Sequence, residues 1–158
     1  MLGRCKQLVV LSVLVGLCMC MVVPWVEARD PSPRISVNTN KPFDVFTQDL
    51  KAAIRKNKMG LVAHANAQAG AASRGVKIRG NQVFMIYRPD FAIRMLEADV
   101  AAGFEAPIRI YVTEKSDGMA RVSYMKPSDV FAGYENVKLN AMAQELDAIF
   151  AAIIRDAL

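Results

Sequence analysis

Cysteine is scarce in this chain and confined to one end. Cys5, Cys18 and Cys20 all fall within the first 28 residues, as does the single tryptophan, Trp25. From residue 29 onward there is no thiol, which excludes a disulfide, a cysteine nucleophile and a thiolate metal site there. Histidine is rarer still, with His64 alone. A Ser-His-Asp arrangement would have to use it, yet no G-x-S-x-G turn lies near it, and a lone imidazole holds a metal only with help. The chain also lacks H-E-x-x-H, a P-loop, an EF-hand loop and G-x-G-x-x-G. The common metalloprotease, nucleotide-binding and calcium-binding signatures are therefore missing. No internal repeat or low-complexity tract occurs.

What is present begins with an export signal. Residues 1–28, MLGRCKQLVVLSVLVGLCMCMVVPWVEA, place Arg4 and Lys6 before a long apolar run that Pro24 breaks. Val26 and Ala28 are small residues at −3 and −1 of a cut before Arg29, the layout of a secretory signal peptide. The rival reading is an uncleaved anchor, since the run is only slightly short for a spanning helix. The residues before Cys18 and Cys20 are Leu17 and Met19, too large for a lipoprotein signal. The expected location is periplasmic or secreted.

Cleavage leaves residues 29–158, enough for one compact domain that buries about two-thirds of its unfolded surface. Losing Arg4, Lys6 and Glu27 takes the formal charge from +5 to +4. That mild excess is not patterned for nucleic acid, but it suits an anionic ligand.

Residues 29–40, rich in Pro, Asn and Ser, read as a flexible leader with one short strand at Ile35–Val37, ahead of a single domain at 41–158. The spacing of Phe46, Leu50, Ala53, Ile54 and Asn57 predicts a helix over 44–58 with Asp44 as N-cap. A strand at 61–67 and a short Ala-rich helix closed by Gly75 follow. NQVFMIYR (81–88) is apolar on both faces, which predicts a central strand covered on both sides. Pro89 at the first helical position and Asp90 beside it predict a helix that ends by Gly103. Asp117-Gly118 marks a hairpin over 107–126. If those two residues form a two-residue turn, Glu114 opposes Arg121, Tyr111 opposes Tyr124 and Ile110 opposes Met125; a bulged turn would shift this register by one. The two-residue turn puts Ile108, Ile110, Val112 and Met125 in the core and Arg109, Tyr111, Thr113, Val122 and Tyr124 on a mixed surface. The chain closes with a helix whose stripe is Leu139, Met142, Leu146, Ile149, Phe150 and Ile153. The expected fold is α+β: a mostly antiparallel sheet with helices packed on one face.

In the segment GNQVFMIYRPDFAIRMLEADVAAGFEAPIRIYVTEKSDGMARVSYMKPSDVFAGY, a strand ending in R-P-D leads to a short helix. A-P-I-R-x-Y-V-T-E, a D-G hairpin and S-Y-x-x-P follow in order. This ordered set resembles the bacterial domain-of-unknown-function family 302 (DUF302), and the closing ELDAIFAAI resembles an exported branch of it. The resemblance spans roughly residues 41–157. It implies a compact α+β fold and a tendency to homodimerise, and it supplies no reaction and no catalytic residue. Many members carry an acid and a histidine where this chain has Asn66, Ala67 and Gln68, so a role for that pair does not transfer.

Five residues stand out as ligand-binding candidates: Arg88, Asp90, Arg109, Tyr111 and Tyr124. Arg88 is a cation at a helix N-terminus, where an anion is favoured, so it needs either the local carboxylate of Asp90 or a bound anion shared with Arg109. Tyr124 reads first as one half of a cross-strand clasp with Tyr111 and second as a groove wall; no base stands near it in sequence. Glu145 and Asp147 read as the solvated face of the last helix. The six methionines from Met59 to Met142 are scattered at core-like positions, although thioethers such as Met85 and Met125 are soft ligands for Cu(I). The leading expectation is a non-catalytic, exported binding module for a small or anionic ligand or an envelope partner, with no cofactor. A periplasmic copper-handling protein and an enzyme of unassigned chemistry are the alternatives. Expected partners are a second copy of the chain and the ligand, not nucleic acid. Membrane contact is expected only through the signal segment before cleavage.

Overall fold

The computed structural model describes residues 34–158. The expected signal peptide, its cleavage site and the start of the leader lie outside the described residues. Among the described residues no helix is long and apolar enough to cross a membrane.

Five strands form one antiparallel sheet in the order β1-β5-β4-β3-β2. They are β1 (Arg34–Pro42), β2 (Gly60–Asn66), β3 (Asn81–Tyr87), β4 (Ile108–Glu114) and β5 (Met119–Met125). The helices are α1 (Phe43–Lys56), α2 (Ala67–Ala72), α3 (Pro89–Ala98), α4 (Pro127–Phe131) and α5 (Val137–Ala157), with 3-10 turns at Val100–Glu105 and Ala132–Tyr134. The α+β class and the one-sided helix layer are as expected. Phe46, Leu50 and Ile54 of α1 meet Phe84, Ile110, Val112 and Val122 of the sheet and Leu139, Phe150 and Ile153 of α5 in one core. Each such side chain contributes about 1.5–3 kcal/mol by leaving water.

Three boundaries differ from the sequence reading. The supposed leader is, from Arg34 onward, a nine-residue edge strand paired with β5. Its polar composition hides an alternation in which Ile35 and Val37 pack on the core and Thr39 is buried. Thr39 Oγ1 donates to the Ala120 carbonyl at 3.0 Å, so a polar residue on the core side is satisfied. Asp44 lies in the first turn of α1 and does not cap it; Pro42 holds that position without a side-chain bond. The helix closes at Asn57, with Lys58 left-handed at φ 58° and the Met59 N–H bonded back to Ile54. Finally, α3 stops at Ala98, where Asp99 turns the chain and caps the 3-10 turn by accepting from the Ala101 N–H.

The hairpin sits where Asp117-Gly118 places it, but with the bulged register. Lys115 N–H donates to the Met119 carbonyl and Gly118 N–H to the Lys115 carbonyl, leaving Ser116, Asp117 and Gly118 as a three-residue loop with Gly118 at φ 80°. Ile110 therefore opposes Tyr124, Tyr111 opposes Ser123, and Glu114 opposes Ala120. A shift of one residue sends a whole strand's side chains to the opposite face. Val122 and Tyr124 are core residues, and Met125 is not. The Tyr111–Tyr124 clasp does not exist, because the two rings stand on opposite sides of the sheet.

β3 is also covered less than its sequence suggests. Gln82, Phe84 and Ile86 are buried beneath the helices, whereas Val83 and Met85 remain half-buried on the other face.

Candidate functional site

The sheet's second face gathers the odd-numbered residues of β3, β4 and β5. Pairing of Val83 with Tyr111 and of Tyr111 with Ser123 sets those side chains in one row. In the next row Met85 pairs with Arg109, the register carries Met125 to the same level, and Arg34 of β1 pairs with Met125. A third row runs through Asn81, Thr113, Arg121 and Asn38. The strands thus place Arg34, Arg109 and Arg121 on this face and no carboxylate.

At one end of it lies an open groove of about 590 Å³, within the size range of small-molecule sites. Arg34, Val83, Ile108, Arg109, Tyr111 and Met125 form its floor and walls, and Glu105 and Asp129 stand at its rim. Arg109 is exposed and makes no ion pair among the described residues. Tyr111 is oriented by Asn81, whose Nδ2 donates to its hydroxyl at 2.5 Å. Ser123 is buried in the floor and shares a 2.6 Å hydrogen bond with Ser36 across β1. Glu105 accepts from the Tyr134 hydroxyl at 3.2 Å, which turns part of its charge away from the groove. The second notable cavity, beneath Arg88 and Phe91, is apolar and only about 30 Å³, room for one water and no more.

Three of the five sequence candidates, Arg109, Tyr111 and Tyr124, border the groove. Tyr124 does so from the core side, its ring centroid 6.0 Å from that of Phe150. Burial pushes its phenol pKa up, and the charge of Asp147 adds to the shift, so at neutral pH it stays protonated. Arg88 and Asp90 lie elsewhere and answer each other: Arg88 Nε and Nη2 donate to the two Asp90 oxygens at 2.7 and 3.0 Å. The hydrogen bond from Arg88 holds the Asp90 carboxyl below its ordinary value. The guanidinium also lies over the Phe91 ring at 4.2 Å, a favourable cation–π distance. No anion is needed to explain it. His64 has ordinary partners, stacking on Phe84 at 4.7 Å with its Nε2 2.8 Å from Gln82 Oε1. Asn66 caps α2 by accepting from the Ala69 N–H.

Met85 and Met125 do share a face, but Arg109 lies between them in the same row. A guanidinium there repels a metal cation, so the arrangement disfavours a thioether copper site. Sequence reasoning missed Arg34, Val83, Ser123 and Met125 as groove residues. The first sat in the presumed leader, and Met125 was expected in the core until the three-residue loop set the register.

Comparison with solved structures finds the same architecture in an uncharacterised conserved DUF302 protein from Bacillus stearothermophilus. The match has a TM-score of 0.71 and 14% sequence identity, covering 80% of this chain and 98% of that one. At that identity the likeness speaks for the fold alone. Comparison with curated proteins gives no match. The profile of the family described as Domain of unknown function DUF302 matches residues 35–157. That profile covers most of the chain and the overall fold agrees with it, and the chain belongs to the DUF302 family.

Proposed function

We propose that this protein is a non-catalytic binding module whose open sheet face takes a small organic anion with an apolar body. The observation that carries this reading is Arg109, exposed and without a carboxylate partner, beside Tyr111, Val83 and Met125 in a groove of ligand size. A guanidinium offers a fork of donors to a carboxylate or phosphate. The flanking apolar side chains favour a ligand that buries carbon as well. Rim carboxylates Glu105 and Asp129 limit the total negative charge the groove accepts, which favours one anionic group over several. Tyr124 stays protonated at neutral pH and His64 is engaged on β2, so neither offers the groove a base.

Native mass spectrometry of the full chain, purified gently from its own compartment, tests this reading. The wild type should carry added mass that Arg109→Ala loses; bare subunits in both would contradict it. The same spectra report whether the protein is the homodimer that its family resemblance implies. The denatured mass shows whether the chain begins at Arg29, as export with cleavage requires.

A further inference from the structure

A second surface lies at the far edge of the sheet. β2 has β3 on one side, and among the described residues nothing pairs with the other. Every second residue of such a strand turns its N–H and C=O outward, so the edge presents a row of unpaired donors and acceptors. Edge strands are usually guarded by lysine, proline or a bulge. β2 reads GLVAHAN, with no lysine or proline; its one irregularity is the register shift around Val62, and the stretch from Ala63 to Asn66 beyond the shift pairs regularly.

The charges lie around the strand instead. From position 50 to 89 the sequence has eight lysines and arginines and no aspartate or glutamate. Lys51 sits 5.9 Å from the ring centre of Phe84, the cross-strand partner of His64. Lys58 is in the turn that leads into β2, and Arg74, Lys77 and Arg79 follow α2 on the segment beyond the strand's other end. That segment exposes Val76 and Ile78 between its cations. With Asn66 and Gln68 it lines an open depression of about 530 Å³. The carboxylate bonded to this segment, Glu114, is occupied by the Gly80 N–H at 2.7 Å.

We propose that the β2 edge receives an extended acidic peptide segment as a sixth strand. Main-chain pairing would give affinity, alternate acidic side chains would meet the flanking cations, and the depression would take an apolar side chain. A second copy of this chain does not fit, because pairing two β2 edges would set two such cationic regions against each other. A bilayer has no use for a directional row of backbone groups, and Arg74, Lys77 and Arg79 stand on a non-helical segment, not on an amphipathic helix. The exposed apolar residues Val100, Phe104 and Val137 offer no comparable guide to what would cover them.

The test uses the full-length protein and a fluorescent seven-residue peptide of alternating Glu and Val, followed by anisotropy. Saturable binding is expected, weakened about tenfold or more by the double variant K77E/R79E. It should also be lost when alternate peptide amides are N-methylated, a change that keeps every charge. Absence of saturable binding overturns the proposal. So does binding that survives N-methylation, which would be ionic attraction without strand addition. Adsorption to phosphatidylglycerol vesicles in place of peptide binding overturns it as well and assigns the surface to a membrane. Arg109→Ala should leave peptide binding unchanged, which separates this edge from the groove.

Discussion

At the scale of single residues, two glycines ten positions apart behave oppositely. A Cβ on Gly80 would fall within the buried Phe43 ring, whereas nothing lies within 4 Å of one on Gly70 in α2. Gly80→Ala should therefore destabilise by about 1–3 kcal/mol through overpacking. Gly70→Ala should stabilise by about 0.5–1 kcal/mol, because alanine loses less entropy in a helix. Urea denaturation of the two variants checks both signs. The charged residues of α5 were harder to read. Glu145 and Asp147 look solvated in sequence, yet Glu145 accepts from both Arg94 Nη groups of α3 at 2.6 and 2.8 Å. Asp147 caps α4 by accepting from the Ser128 N–H at 2.9 Å. Both partners come from other elements, which a single-helix pattern does not contain. The hydrogen bond from Arg94 lowers the Glu145 pKa below its ordinary 4.5. A depressed carboxylate contributes stability above its unfolded pKa and loses it as pH falls through the folded value. Glu145→Gln should accordingly narrow the stability difference between neutral pH and pH values well below 4.5, as read by denaturation at each pH.

At the scale of elements, the hairpin decides what is core and what is surface. Asp-Gly marks the turn in sequence, but the same pair serves a two-residue turn and a three-residue turn with a bulge. Alternation favours the three-residue turn. Ala120, Val122 and Tyr124 make one face of β5 apolar, and Arg121 and Ser123 make the other polar despite Met119 and Met125. Only that register sets the apolar face beside Ile110 and Val112 of β4. The structure adopts that turn through Gly118, left-handed at φ 80°. Tyr124→Ala should then cost about 3 kcal/mol or more, as for other large core aromatics. Tyr111→Ala, on the open face with only the Asn81 bond to lose, should cost about 1 kcal/mol or less. Equal costs would mean the register is wrong. Long periodic elements were legible without their neighbours: the stripe of α5 has one apolar side, and five of its six members are buried, with Ile149 half-buried.

At the scale of the whole molecule, the one-sided helix layer followed from element order, and the composition of the uncovered face did not. That face is assembled from β1, β3 and the β4–β5 hairpin, three segments far apart in sequence, and one of them, β1, was hidden in a polar segment. Only the pairing shows that Arg34, Arg109 and Arg121 share a side without strand carboxylates. Of the five candidate residues, the ion pair Arg88–Asp90 was foreseeable from their spacing. The meeting of Arg109 with Met85, Met125 and Arg34 was not, because it depends on the bulge. The central claim is that this face binds an organic anion through Arg109. The most direct measurement is a backbone-amide NMR titration with phenyl phosphate. Saturable shifts clustered at Val83, Arg109, Tyr111, Ser123 and Met125, and absent in Arg109→Ala, are the predicted result. Shifts confined to Arg88 and Arg79, or none that saturate, would contradict it.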